Sequence, residues 1–240
     1  MTLTKILRRI PVLILIVMAA APIAVLADTI AVIGTGSVAG ALGPQFARQG
    51  HNIVYGSRDP ERQEVKDLVE RTGNDASATT PAEAVAGASM VVMAVPGMMV
   101  EEITLSLGDL SGKIIIDPTN PLIDRDDGMM DLGVDTSNAE IIQAAAPESH
   151  VVKAFNTLNW RQMVDPNSAG GPISIALAGD SEEAKAKVAE LVEGMGLEAI
   201  DVGPVRHARY VEGMLILWIN NRFVNDQPFD YYLRKSPSNQ

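Results

Sequence analysis

The chain has 240 residues, of which 47% are hydrophobic, 20% charged and 4% aromatic, and it contains no cysteine. This length corresponds to one domain, or to one domain with a small addition. The lack of cysteine excludes a disulfide scaffold, a thiolate metal site and a cysteine nucleophile. The formal net charge of −11 argues against a nucleic-acid-binding surface.

Residues 1–27 have the layout of a targeting segment. Three basic residues lie near the start, and the run 10–26 is apolar and carries no charge. This pattern predicts a secretory signal peptide that is cleaved before Asp28, and therefore an exported, periplasmic protein. The alternative is an uncleaved anchor in the inner membrane, because seventeen apolar residues approach the length that crosses a bilayer.

Strands and helices alternate after this segment. Short apolar runs predict strands over 29–33, 52–55, 89–95, 113–117, 151–154, 173–178 and 197–202. Apolar stripes with caps predict helices over 38–49, 60–71, 80–86, 99–107, 137–146, 181–195 and 210–222. Pro44 lies inside the first helix and predicts a kink or a shifted start there.

Strands that are apolar on both faces and separated by helices are typical of a parallel sheet covered on both sides. We therefore predict an α/β fold of Rossmann type, a doubly wound, mostly parallel sheet over residues 28–203. A small helical C-terminal part, a helix with a tail, is predicted over residues 204–240.

A glycine loop joins the first strand to the first helix. It fits the pattern G-x-G-x-x-G/A with Gly34, Gly36 and Ala39. The first glycine permits a tight turn, the second leaves room for a diphosphate, and the alanine allows close packing of the helix on the strand. The helix N-terminus then faces the phosphates. The pattern predicts dinucleotide binding, with three neighbouring candidate residues, Thr35, Ser37 and Val38.

The end of the second strand distinguishes the two nicotinamide dinucleotides. A site for NAD places an acidic residue there, to accept a hydrogen bond from the ribose 2′-hydroxyl. This chain instead has Ser57 and Arg58, and the first acid, Asp59, comes one position later. A guanidinium and a hydroxyl suit a 2′-phosphate, so the sequence favours NADP(H). The alternative is a solvated loop arginine that pairs with Asp59.

Further candidates follow the later strands, because ligands of open α/β sheets bind at the carboxyl ends of the strands. Val95 and Pro96 end the third predicted strand, and Pro96, which has no N–H, would shape the wall beside the cofactor. Asn120 follows the fourth strand and offers a neutral donor and acceptor, and Asn156 follows the fifth strand and could bind a carboxamide. Local turn capping is the alternative role for each.

Acid–base chemistry has no strong candidate. The three histidines, His51, His150 and His207, lack carboxylate partners at a diagnostic spacing. We identify no catalytic acid or base and no metal site. Hydride transfer between two ring cofactors requires alignment in a dry cleft more than a proton donor, and a site of backbone, asparagine and proline suits it.

The stretch AVIGTGSVAGALGPQFARQGHNIVYGSRDP, followed by AVPG, DPTNPL and VVKAFNTL, resembles NADPH-dependent coenzyme F420 reductases and the related reductase domain of membrane ferric reductases. The resemblance covers residues 29–235 and implies NADP contacts from the glycine loop, Ser57 and Arg58. It also implies Val95, Pro96 and Asn156 near the nicotinamide, a deazaflavin opposite, and a homodimer. Asp59 departs from members that carry a second basic residue after the arginine.

The sequence thus predicts an NADP-dependent oxidoreductase that transfers a hydride between NADP(H) and a second redox cofactor, coenzyme F420 or a flavin. Two alternatives remain open. One is an exported NADP-binding module without catalysis. The other is a reductase of a small imine or carbonyl compound, which requires a proton donor near the hydride position.

Overall fold

The structure is a computed structural model that describes residues 27–226 and 229–236. The predicted leader over 1–27 lies outside the described residues except for Ala27. Among the residues that are described, no helix combines the length and the apolar character needed to cross a bilayer.

One eight-stranded sheet forms the centre of the fold, with the order β10-β9-β8-β5-β4-β1-β2-β3. A separate two-stranded hairpin is formed by β6 and β7. The strands are β1 (Thr29–Ile33), β2 (Asn52–Gly56), β3 (Ser77–Thr79), β4 (Met90–Met93), β5 (Ile114–Asp117), β6 (Leu122–Asp124), β7 (Met130–Leu132), β8 (His150–Lys153), β9 (Ser174–Ala178) and β10 (Glu198–Gly203).

Eight α-helices accompany these strands in the described part of the chain. They are α1 (Ser37–Arg48), α2 (Gln63–Thr72), α3 (Pro81–Ala86), α4 (Val100–Ser106), α5 (Asn138–Ala145), α6 (Trp160–Val164), α7 (Glu182–Gly194) and α8 (Ala208–Phe223). The helices and the mostly parallel sheet confirm the predicted Rossmann-type α/β class.

Both faces of the sheet are buried, as the apolar strands predict. In β1, Ile30 and Val32 belong to one core cluster, whereas Ala31 and Ile33 belong to the other. Successive side chains of a strand point to opposite faces, so a strand covered by helices on both sides must be apolar at every position.

The last two strands reverse direction. β9 pairs antiparallel with β8 through Lys153 and Ala178, and β10 runs parallel to β9. The long connection that contains α6 makes this reversal possible. The predicted helix over 181–195 corresponds to α7, which joins β9 to β10 in the ordinary way.

Local polar contacts explain the main differences from the predicted elements. The helix predicted over 60–71 begins at Gln63, because Asp59 is held in a turn where its carboxylate accepts from the Glu61 N–H at 3.2 Å. The strand β3, the β6–β7 hairpin and the five-residue helix α6 were not predicted. α1 continues through Pro44 and starts at Ser37, so its start is not shifted.

The C-terminal segment packs back on the domain. Leu233 forms an antiparallel bridge with Ser174, the first residue of β9. The Tyr231 hydroxyl donates to the carbonyl of Met214 on α8 at 2.6 Å. Residues 229–236 therefore connect the last helix to the edge half of the sheet.

Candidate functional site

The order of the sheet places a crevice between β1 and β4. From β1 the chain continues to β2 and β3 on one side, whereas β4, β5 and β8 lie on the other side. The carboxyl ends of neighbouring strands diverge at such a switch point, where open α/β sheets bind their ligands. The glycine loop follows β1 directly at this crevice.

The backbone of the glycine loop requires its first glycine. Gly34 has φ of +106°, and its N–H donates to the Gly56 carbonyl on β2 at 2.9 Å. A Cβ at this position would overlap the carbonyl oxygen of Ala94, which follows β4. Gly34 therefore allows the loop to pass close to both neighbouring strands.

The second glycine leaves open space at the start of α1. Gly36 is the N-cap of α1 and supplies no side-chain cap, and a Cβ built on it would meet no atom within 4 Å. The first N–H groups of a helix lack backbone partners and carry the positive end of its dipole. This opening fits a diphosphate. Thr35 and Val38 are half-buried beside it, and Ser37 is exposed.

The predicted 2′-phosphate residues lie after β2. Ser57 is buried, and its hydroxyl exchanges hydrogen bonds with the backbone of Asp59 at 3.0 and 3.2 Å. Arg58 is exposed and has no hydrogen-bond or ion-pair partner within 27–226 and 229–236. The alternative pairing of Arg58 with Asp59 is not formed.

Arg62 is a residue that the sequence analysis missed. It is the N-cap of α2, and its Nη2 donates to the Thr35 hydroxyl of the glycine loop at 3.1 Å. Its Nε lies 3.3 Å from a carboxylate oxygen of Glu64. The turn at Asp59 returns the chain toward β1, so a basic residue four positions after Arg58 lies at the same end of the crevice. That spacing is the signal that could have identified it.

The predicted nicotinamide-side residues meet at the other end. The Asn156 side-chain amide donates to Asn120 Oδ1 at 2.9 Å and to the Val211 carbonyl at 3.2 Å. In return, the Asn120 amide donates to the Asn156 carbonyl at 3.1 Å. Val95 and Pro96 follow β4, with Val95 half-buried and Pro96 exposed. The loops after β4 and β5 pack tightly against each other, since a Cβ on Gly97 would overlap the Asn120 carbonyl.

A cavity of about 210 Å³ adjoins this amide pair. Val38 of α1, Pro118, Asn120 and Asn156 form the wall toward the glycine loop. The other walls come from the connection after β8, α8 and the C-terminal segment. They include five aromatic side chains, after which we call this space the aromatic cavity: Phe155, Trp160, Trp218, Tyr231 and Tyr232. Phe155 has φ of +65°, a rare conformation for a bulky residue, and is 1% exposed.

A buried ionic cluster lies behind the amide pair. Lys153 at the end of β8 is 2.8 Å from Asp117 Oδ2 at the end of β5 and 2.5 Å from Glu212 Oε1 on α8. All three side chains have an exposed fraction of 0%. Burial, with a smaller contribution from the neighbouring Asp117 carboxylate, raises the pKa of Glu212 to about 7, although Lys153 and the Asn138 N–H oppose the rise.

The Rossmann sheet, its glycine loop and the open helix N-terminus define a dinucleotide-binding protein. The family model for coenzyme F420-dependent NADP oxidoreductase matches residues 29–121. An F420-dependent NADP reductase of Methanothermobacter thermautotrophicus is 31% identical over 215 residues, which cover 82% of this chain and 90% of that protein. The chain belongs to the coenzyme F420-dependent NADP oxidoreductase family, and it is an NADP-dependent oxidoreductase.

Two further relatives extend this comparison. The solved structure of a candidate F420-dependent NADP reductase from Arthrobacter sp. FB24 matches this chain with a TM-score of 0.77 and 34% identity. The match covers 87% of this chain and 100% of the Arthrobacter chain. The rat metalloreductase STEAP3 is 30% identical over 189 residues. These residues cover 78% of this chain but 36% of STEAP3, so the chain spans about a third of that relative.

Proposed function

We propose that the protein transfers a hydride between NADP(H) and a second redox cofactor, coenzyme F420 or a flavin, which binds in the aromatic cavity. The observation that carries this proposal is that residues from the glycine-loop side and from the nicotinamide side of the site line the same cavity. One cavity is lined by Val38 from the diphosphate-binding helix, by the Asn120–Asn156 amide pair and by aromatic rings. A planar ring in this cavity would therefore adjoin a nicotinamide held by the amide pair.

Each part of the site has a role in this reaction. The bound nicotinamide supplies the hydride chemistry. The glycine loop binds the diphosphate, and the amides of Asn120 and Asn156 orient the carboxamide. The aromatic walls exclude water and hold the second ring flat, so that alignment of the two rings lowers the barrier. No protein acid or base is required for this transfer.

The test is NADPH oxidation with three acceptor systems, namely coenzyme F420, FMN, and FMN together with a ferric chelate that takes single electrons from the reduced flavin. We expect turnover with at least one of them. Tight NADPH binding by calorimetry without turnover of any acceptor would contradict the proposal and favour a binding module without catalysis.

Arg58 and Arg62 are proposed to bind the 2′-phosphate together. Arg58 is exposed at the end of β2, and Arg62 reaches Thr35 from the start of α2, so two guanidinium groups flank the adenosine end. Arg62 thus replaces the second basic residue whose place Asp59 occupies. Charge-assisted hydrogen bonds of this kind contribute about 1.5–3 kcal/mol each.

We expect Arg58→Ala and Arg62→Ala each to weaken NADPH binding by about 10- to 100-fold and NADH binding by less than about threefold. Arg71→Ala is the matched control, because Arg71 is an exposed arginine at the opposite end of α2. Equal losses for NADPH and NADH would refute the 2′-phosphate role.

Reduction of a small imine or carbonyl compound is a second candidate function. Tyr231 and Tyr232 line the cavity, and a phenol is a proton donor that such a reaction requires. Burial raises the pKa of both tyrosines, which keeps them protonated. Turnover of a cyclic imine that Tyr231→Phe and Tyr232→Phe together abolish would favour this function over transfer between two cofactors.

We also propose that two copies associate through α8. Three large apolar side chains of this helix, Tyr210, Leu217 and Phe223, are 71%, 64% and 69% exposed. A second copy would cover such residues in an isologous contact. Light scattering should give a dimer, which Leu217→Glu should dissociate. A wild-type monomer at micromolar concentration would contradict this assignment.

Export remains the proposed role of residues 1–27. Cleavage would leave Asp28 as the first residue, and mass spectrometry of the protein from its native host distinguishes this product from an intact, membrane-anchored chain.

A further inference from the structure

Lys153 is the centre of a buried set of contacts that the proposed hydride transfer does not explain. Its ammonium has three donors, and all three are used. They bind Asp117 Oδ2 at 2.8 Å, the Thr119 carbonyl at 2.5 Å and Glu212 Oε1 at 2.5 Å. The cluster therefore joins the ends of β5 and β8 to α8.

The same cluster extends to the loop after β4. Asp117 Oδ1 accepts from both the N–H and the hydroxyl of Thr119. The Asn138 amide donates to the Thr119 hydroxyl at 2.7 Å and to the Gly97 carbonyl at 2.9 Å, while its backbone N–H donates to Glu212 at 3.0 Å. Gly97 follows Pro96 directly, so the nicotinamide wall is held by the same contacts.

Three of the predicted nicotinamide-side residues, Pro96, Asn120 and Asn156, are thus connected to the cluster through an adjacent residue. Pro96 is connected through Gly97, and Asn120 through Thr119. Asn156 is connected through its bond to the carbonyl of Val211, the residue before Glu212. The adenosine-side residues make no such contact with the cluster in the described part of the chain.

We propose that Lys153, Asp117 and Glu212 are positioning residues that fix the three nicotinamide-side loops and α8 relative to one another for hydride transfer. This inference rests on the proposed function, and none of the three side chains reaches the cavity. Their effect on the reaction would be transmitted through Asn120, Asn156 and the wall at Pro96.

The chemistry of the cluster favours a geometric role over one in stability alone. Burying three charges costs several kcal/mol per ion, and apolar residues of similar size often stabilise a core equally well. Glu212 Oε2 is also buried without a partner among the described residues. Such contacts are directional, however, so they set the position of each loop in a way that apolar packing does not.

Ionisation of Glu212 supplies a readout in the wild-type protein, which does not require a variant to fold. The charged groups that face it are Lys153 on β8 and Asp117 on β5, and the charged pair that joins α5 to α8 is Glu140 with Arg209. With Glu212 protonated the cluster is neutral, and with Glu212 ionised it carries one net negative charge. The position of α8 should therefore respond to pH near 7.

The deciding variant is Glu212→Leu, which leaves the Lys153–Asp117 pair neutral and removes the link to α8. We expect kcat at saturating NADPH to fall at least about tenfold. We expect the Kd of adenosine 2′,5′-bisphosphate, which lacks the nicotinamide half, to change less than twofold. Glu212→Gln keeps the acceptor for Lys153 and for the Asn138 N–H, and should restore kcat to within threefold of wild type.

Lys185→Met is the matched control. Lys185 is a second buried lysine, which binds Asp201 at 2.6 Å and Glu182 at 2.8 Å, and none of these residues contacts the cavity. Its kcat should stay within twofold of wild type. An unchanged kcat in Glu212→Leu, or an equal loss in Lys185→Met, would overturn the inference.

Two further measurements keep the outcomes separate. If Glu212→Leu does not fold, the pH profile of Glu212→Gln decides, because kcat of the wild type should change near pH 7 and that of the variant should not. Matching profiles would overturn the inference. If the wild type binds NADPH but reduces no acceptor, the proposed function fails. Fluorescence anisotropy of bound NADPH then still tests the inference, since Glu212→Leu should free the nicotinamide and lower the anisotropy.

Discussion

The two ends of the cofactor crevice hold their charges in different ways. At the adenosine end, Arg58 and Arg62 are on the surface, and Arg62 makes one hydrogen bond to the glycine loop. At the nicotinamide end, the charges of Lys153, Asp117 and Glu212 are fully buried behind the loops that line the cavity.

This difference matches the tasks of the two ends. A 2′-phosphate brings its own charge, and exposed guanidinium groups can bind it without a fixed scaffold. A nicotinamide ring must be aligned to within a fraction of an ångström, and that requires loops whose positions are held from behind. In the proposed reaction, the adenosine end would therefore provide affinity, and the nicotinamide end would provide alignment.

The largest expected effect tests the diphosphate position between the two ends. Gly36 has φ of −82°, which any residue can adopt, and a Cβ there meets nothing within 4 Å. Gly36→Asp should therefore fold normally. Its carboxylate would repel the diphosphate, so calorimetry should show NADPH and NADH binding weakened at least about 1000-fold, or about 4 kcal/mol.

Gly43→Ala is the control for this variant. A Cβ on Gly43 would overlap the Tyr55 hydroxyl inside the domain, far from the open loop. It should lower the melting temperature, whereas Gly36→Asp should not. Normal nucleotide binding by Gly36→Asp would show that the diphosphate does not bind at the start of α1.

A smaller effect concerns the pH dependence of stability. Burial raises the pKa of Glu212 from 4.5 to about 7 in the folded chain. Between these values the folded chain keeps a proton that the unfolded chain has released. The free energy of unfolding should therefore fall, by about 3 kcal/mol, as the pH rises from about 4.5 to about 7.

Glu212→Gln cannot ionise and should lack this loss. Denaturant titrations of both proteins at pH 5, 6, 7 and 8 measure the difference, in which the contributions of all other groups cancel. Parallel stability profiles would mean that folding does not raise the pKa of Glu212, and that burial is fully offset by Lys153 and the Asn138 N–H.

The smallest expected effect comes from a partly exposed ion pair between α5 and α8. Arg209 on α8 pairs with Glu140 on α5, and its side chain is 43% exposed. Arg209→Ala should reduce the free energy of unfolding by less than about 1 kcal/mol, because solvent screens the pair. A loss well above about 1 kcal/mol, measured by denaturant titration, would show that solvent does not screen this pair.

The parts of the fold that depend on local patterns could be predicted from the sequence. β1, the glycine loop and α1 combine an apolar run with a glycine spacing that is typical of a strand, a tight turn and a helix. The mostly parallel sheet followed from strands that are apolar on both faces. The reversal of β9 could not be predicted, because a short apolar strand such as Ser174–Ala178 carries no signal that distinguishes antiparallel from parallel pairing.

The candidate site shows the same limit. The asparagines were predicted from their places after β5 and β8, but their mutual hydrogen bonds depend on two loops that are 36 residues apart in the chain. Glu212 and Lys153 gave no signal, since a charged residue in a helix or strand pattern is ordinarily solvated. Arg62 was missed because its approach to Thr35 depends on where α2 begins.

The aromatic cavity is completed late in the chain. Tyr231 and Tyr232 close one wall, and Leu233 is bridged to Ser174, so residues 229–236 complete the cavity only after all ten strands have been synthesised. During folding, the nucleotide-binding half can therefore form while the proposed acceptor cavity is still open. A purification tag fused after this segment would therefore lie close to the proposed acceptor cavity, and it should be removed before kinetic assays.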